Sequence, residues 1–379
     1  MNRDLVLVAI SLFTWGIGEG AFFYFQPIYL EQLGASPILI GTILGGVGIA
    51  MTVAHIPAGI LADRIGRRAL MLSAWFVGLT SAWIMALSQT LSQFTIGILL
   101  YGITAFVMAP LNSYITAARG NWSVGRAITL ISALYNVGAI IGPILGGLIG
   151  DTYGLRKIYL FAAISFLAST IVIIFIRSQP VEEKPPNQQN FLVNRNYLGF
   201  LTIIFIAMFA MYIPQPLTPN FMQNQRDLSL GVIGSLGSIG SLGNVILNLG
   251  LGNLNARIGF LLGQLAVGIS SILLWRGTGV YFFALGYFLL GGYRTARSLA
   301  IAQVREMVPE SSMGLAYGIA ETVGATAIII APPLAGVLYE YNPVSIYPTS
   351  AGLVIASILI GLVFSPLRSK GEENGNPSG

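Results

Sequence analysis

The sequence contains no cysteine and a single histidine in 379 residues. Without cysteine there is no disulfide, no thiolate metal site and no sulfur nucleophile. One imidazole, His55, leaves no histidine-based metal centre, so no metal and no cofactor is implied. Charge is equally scarce: Asp, Glu, Lys and Arg make up 9% of the chain, where a soluble domain carries about 25%. In their place stand 55% hydrophobic residues and a mean hydropathy of +0.77. Such a surface cannot face water, so its solvent over most of its area is lipid. The net charge of +5 does not point to nucleic acid, because the basic residues gather at the ends of apolar runs, where they set membrane topology.

A helix crossing ~30 Å of hydrocarbon needs about 20 apolar residues. Runs of that kind fall near 5–30, 38–62, 69–88, 93–118, 124–150 and 156–177, then near 196–223, 229–255, 258–275, 279–307, 312–340 and 346–367. The first run is too long for the apolar core of a cleavable signal and reads as the first span. The expected fold is an all-α membrane protein with twelve transmembrane helices in two pseudo-symmetric six-helix bundles. Residues 1–177 form one bundle and 196–368 the other. Between them, 178–195 carries Glu182, Glu183, Lys184, Pro185 and Pro186 and reads as a flexible linker; 369–379 reads as a disordered tail. Arg3, Arg64, Arg67, Arg68, Arg119, Arg126 and Arg257 fall on one side of the spans, while the other holds Arg156, Lys157, Arg226 and Arg276. The positive-inside rule then puts both termini and the linker in the cytoplasm of a multi-pass cell-membrane protein.

The chain also repeats itself. The run Gly59-Ile60-Leu61-Ala62-Asp63-Arg64-Ile65-Gly66-Arg67-Arg68 returns, worn down, as Gly252-Asn253-Leu254-Asn255-Ala256-Arg257-Ile258-Gly259. In that alignment Asp63 meets Ala256 and Arg64 meets Arg257. Residues 41–66 align with 234–259, and 125–147 with 314–336, the latter setting Gly142-Pro143 over Ala331-Pro332. On the fifth span Gly138, Gly142 and Gly146 fall four apart along one face, spacing that lets helices touch in lipid. Pro143 removes a backbone hydrogen bond within that face.

Twelve spans as six plus six, the central linker, the 59–68 turn and the run from Gly138 to Gly147 together resemble the major facilitator superfamily, over essentially residues 5–367. The turn looks like that family's signature between helices 2 and 3, the glycine run like its antiporter signature on helix 5. The resemblance implies alternating access: the bundles rock about a central site built mainly from helices 1, 4, 7 and 10. It makes Gly59, Asp63, Arg64, Gly66, Arg67, Gly138, Gly142, Pro143 and Gly146 gating residues, with Asp63 facing the N-terminus of helix 11. There a carboxylate meets the positive end of the helix dipole. Drug/proton antiporters of the family carry an arginine in helix 4; residues 101–111 hold none.

Chemistry inside the spans is confined to four ionisable residues, Glu19, Arg294, Arg297 and Glu321. Each costs ~2.5–3.5 kcal/mol on the insertion scale and is a functional candidate on that ground. Trp15, Phe22, Phe23 and Gln26 lie three, four or seven residues from Glu19 and share its helix face, a face suited to an apolar or cationic ligand. Burial disfavours a carboxylate's charged form, so Glu19, and with it Glu321, is a candidate proton carrier. A pair between Glu321 and one arginine is expected, leaving the other for Glu19 or for an anionic group on a substrate. Tyr101, Tyr212 and Gln215 complete the candidate substrate ligands. No nucleophile–base pair is visible in the spans, so the chain is not read as an enzyme. The expected partners are a small-molecule substrate, protons and membrane lipids, for a monomer exporting amphipathic small molecules in exchange for protons. The alternative is a transporter of an organic anion or lipid headgroup held by Arg294 and Arg297.

Overall fold

The computed structural model describes residues 2–179, 195–305, 307–308 and 313–364, with residues 55–65, 314 and 364 followed by their backbone alone. Among these residues there are helices and turns and no strand. The first half contains α1 (Arg3–Phe23, resumed as Gln26–Gln32), α2 (Pro37–Ile65), α3 (Arg67–Leu87), α4 (Leu91–Ile103 and Met108–Ala118, joined by the 3-10 turn Thr104–Val107), α5 (Val124–Tyr153) and α6 (Leu155–Ile173). The second contains α7 (Arg195–Tyr212 and Thr218–Asn224), α8 (Leu230–Leu251), α9 (Ala256–Arg276), α10 (Val280–Leu290 and Gly292–Val304), α11 (Met313–Tyr341) and α12 (Ile346–Phe364). Eleven of these crossings are long and apolar enough by themselves. The remaining one, α10, reaches span length only across the break at Gly291. Helix starts are set by side-chain caps: Ser36, Ser123 and Ser229 accept from the amides of Leu39, Arg126 and Val232, replacing partners the first turn lacks. Gly66 and Gly154, at φ 83° and 86°, swing the chain from one helix directly into the next, a conformation glycine adopts without penalty.

The repeat is visible in the breaks and in single bonds. The first and fourth helices of each half, α1, α4, α7 and α10, are the interrupted ones. Ser81 donates to the Gly97 carbonyl at 2.9 Å in one bundle, and Ser270 to Gly286 at 2.7 Å in the other. The helices α3 and α9 are each 21 residues long, and Arg68 and Arg257 are their second residues. Arg68 donates to the Ile174 and Ile176 carbonyls, Arg257 to that of Leu362, so each closes the C-terminal end of the sixth helix in its bundle. This corrects the alignment from sequence: the counterpart of Arg257 is Arg68, not Arg64. The reason is that α2 runs on to Ile65 while α8 stops at Leu251, shortening the second copy at this junction.

Within the first bundle, three glycines of α5 lie against the backbone of α1. A Cβ on Gly138, Gly142 or Gly146 would come within 2.3, 2.4 or 2.1 Å of the carbonyl oxygens of Phe13, Ile17 or Ala21. The glycines named from sequence are thus a seam inside one bundle. Contacts between bundles are made beside it: a Cβ on Gly234 of α8 would stand 2.1 Å from the Pro143 oxygen, and one on Gly41 of α2 would stand 2.2 Å from that of Pro332 on α11. Among the described residues, the hydrogen bonds and glycine contacts that cross between bundles lie from mid-span to the end opposite the termini. At that end the bundles are joined.

Candidate functional site

Charges at mid-span stay ionised only where water or a partner reaches them, which directs them to the space between the bundles. Glu19, on α1, is half-buried, and the hydroxyl of Tyr135 on α5 donates to its Oε2 at 2.7 Å. Tyr101 of α4 lies within hydrogen-bonding reach of the same carboxylate and of the Trp15 indole. Tyr135 is also within electrostatic reach of Arg294 on α10. Arg294 is exposed and has Tyr24 of α1 and Tyr212 of α7 among its electrostatic neighbours. It forms no ion pair among the described residues.

Nearer the termini stands the second charge layer. Arg297 donates through Nε and Nη2 to a single oxygen of Glu321, Oε2, at 3.1 and 2.6 Å. The two side chains are 35% and 47% exposed, so the pair borders the open space rather than the packed core. Tyr212 is half-buried and tilted against Tyr293, with ring centroids 5.4 Å apart. Gln215 is half-buried and its amide donates to the Met211 carbonyl at 3.0 Å, within the break between the two segments of α7.

The aromatic face expected around Glu19 divides. Trp15 lies flat on Phe166 of α6, centroids 3.9 Å apart, and next to Trp75 at 5.3 Å. Phe22 has no exposed surface and meets Tyr101 edge-on at 5.3 Å. Both side chains therefore pack in the interior of the first bundle. The physical reason is that a helix face spans three neighbours, and α4 and α6 take up the part on which these rings stand. Gln26 is likewise buried. Phe23 keeps 45% of its surface exposed beside Tyr24.

Tyr135 and Tyr24 went unnoticed in the sequence. A tyrosine one turn before Gly138 on the α1-facing side of α5 was a signal for the first, but only a known helix register turns it toward Glu19. Of the turn signature, Gly66 makes the α2–α3 junction described above and Arg67 begins α3. The expected contact between Asp63 and the start of α11, with Arg64 and Gly59, lies outside the described side chains.

The sequence profile of the Major Facilitator Superfamily matches residues 8–259 and 200–379. An uncharacterized MFS-type transporter of Methanocaldococcus jannaschii is 27% identical over 209 residues, 52% of this chain and 54% of that protein. Multidrug resistance protein MdtG of Escherichia coli is 30% identical over 192 residues, 48% of this chain and 47% of its own. The chain thus spans about half the length of the curated relatives it matches. Among solved structures, a nucleoside transporter, NupG, superposes with a TM-score of 0.85 over 96% of this chain and 100% of its own, at 14% identity. The human organic anion transporter MFSD10 gives 0.67 over 95% and 99%, at 16% identity. At these identities the likeness is one of fold.

Proposed function

This chain belongs to the Major Facilitator Superfamily, a family of transporters rather than enzymes, and from that membership we propose a proton-coupled exporter of amphipathic small molecules working by alternating access. The observation that carries the reading is the setting of Glu19. It is a half-buried carboxylate at mid-span, held by the Tyr135 hydroxyl at 2.7 Å and without a cationic partner among the described residues. A proton or a cationic cargo can neutralise it, and the two compete for the same oxygens. Tyr101, Tyr212 and the exposed Phe23 give the surrounding space an aromatic lining. The similarity to MdtG over half the chain supports a cargo of this kind. The positive-inside bias supports both termini in the cytoplasm, and the joined end of the bundles then faces away from it.

Arg294 favours a second reading. An exposed guanidinium among three tyrosines and without a carboxylate partner is suited to an anionic group, which makes an organic anion the alternative cargo. Proteoliposomes with a trapped pH dye separate the two when challenged with cationic, neutral and anionic amphiphiles. Proton movement driven by cations and lost in Glu19→Gln is the expected result. A response to anions alone, lost in Arg294→Ala and kept in Glu19→Gln, would overturn it in favour of the second reading.

A further inference from the structure

The joined end of the molecule is held by carboxylates that the transport reading does not use. Asp151, in the last turn of α5, accepts the amides of Leu230 and Gly231 at 2.9 and 2.8 Å. These are the first two amides of α8, in the other bundle. Glu340, in the last turn of α11, accepts the amide of Ile38 at 3.3 Å, in the first turn of α2. The two contacts occupy equivalent places in the two halves, the Asp151 one with two amides and the Glu340 one with a single amide. In the repeat alignment Asp151 corresponds to Glu340, and the start of α8 to the start of α2. The backbone beneath them agrees: a Cβ on Gly147 would lie 2.5 Å from the Leu230 oxygen, and one on Gly336 the same 2.5 Å from the Pro37 oxygen. At the same end Glu31 of α1 accepts from Asn220 and Asn224 of α7, and Asn220 also donates to the Pro27 carbonyl at 3.1 Å.

Three arginines at this end are engaged elsewhere. Arg156 donates to the Ala86 and Leu87 carbonyls within its own bundle, Arg226 to the Trp275 carbonyl, and Arg276 lies over the Trp275 ring. No ion pair involves Asp151 or Glu340 among the described residues. Each carboxylate is instead opposed by unpaired amides and the positive end of a helix dipole, a charge-assisted contact that weakens when the charge is removed. Separating the bundles at this end must break both contacts, because donor and acceptor sit on different bundles.

We propose that Asp151 and Glu340 form a two-fold-related pair of latches that hold this end shut, and that their negative charges set the balance between the two access states. Neither residue touches the central site, so the inference is independent of the cargo and of the coupling ion.

The absence of native cysteine allows spin labels on Leu87→Cys and Tyr281→Cys, two positions at this end on opposite bundles, 62% and 91% exposed. Pulsed dipolar distances are recorded in nanodiscs without substrate, in the otherwise native sequence and with Asp151→Asn, Glu340→Gln or both. The expected result is a longer-distance population that grows in each single variant, more for Asp151→Asn, and about tenfold in the double. Asp227→Asn, a charge removed from the same face but outside the latches, leaves the distribution unchanged. An unaltered distribution in a double variant that stays monodisperse and binds detergent normally would overturn the proposal. So would an effect confined to one of the two residues, or an equal effect of Asp227→Asn. Should the double variant fail to fold, the single variants carry the same test.

Discussion

Replacing Glu321 by glutamine tests whether the lower charge layer is a structural pair. Arg297 reaches one oxygen of Glu321 through two nitrogens, at 3.1 and 2.6 Å. Breaking a fully buried pair costs about 3–5 kcal/mol, whereas exposed pairs contribute about 0–1. With side chains 35% and 47% exposed, this pair falls between those limits. Its coupling should therefore be roughly 1–2 kcal/mol. A double-mutant cycle with Arg297→Gln, Glu321→Gln and the combined variant isolates that term, read as reversible unfolding in mixed micelles. The singles are expected to lose stability, Glu321→Gln the more because it leaves Arg297 beside Arg294 with no anion. The combined variant is expected to recover most of the loss and to retain coupled transport. A coupling below about 0.3 kcal/mol, the usual limit for independent sites, would refute the reasoning. Recovered stability with coupling abolished would instead make Glu321 a proton carrier.

Three further outcomes follow from the geometry. Gly142→Ala sets a Cβ 2.4 Å from the Ile17 oxygen and 2.7 Å from the Ala21 nitrogen, backbone atoms that cannot rotate away. It should cost about 1–3 kcal/mol or more, whereas Gly318→Ala, with nothing within 4 Å, should be neutral or stabilise the helix by up to about 1 kcal/mol; thermal unfolding distinguishes them. Ser81→Ala and Ser270→Ala each remove a buried hydroxyl's bond to a carbonyl of the next helix. Each should lose about 1 kcal/mol, and equal shifts in the melting temperature would reflect the repeat. Tyr135→Phe deletes a donor to Glu19, worth about 1.5–3 kcal/mol when the acceptor is charged. Transport should fall about tenfold or more with expression unchanged, while Tyr153→Phe, 70% exposed at the far end of α5, leaves it intact in the same flux assay.

The sequence by itself determined the solvent, the number of crossings and the duplication. Apolar runs of span length require helices in lipid, whatever their neighbours, and a chain with so few charges makes each mid-span charge conspicuous. Glu19, Arg294, Arg297 and Glu321 were therefore visible from composition, and the expectation that Glu321 would meet an arginine is matched by the bond from Arg297. What the sequence could not fix was rotation. A helix in a bundle has several neighbours, and one-dimensional spacing does not say which face meets which. Trp15 and Phe22 share the face of Glu19 yet pack into their own bundle, and Tyr135 reaches Glu19 from a helix whose register only packing sets. The four-residue shortening between α8 and α9, which makes Arg257 the partner of Arg68, is hidden by a chance match of glycines. The latches of Asp151 and Glu340 were invisible for a related reason. Their partners are backbone amides at helix starts, which every sequence has and no residue type marks; only tertiary structure brings a carboxylate to them.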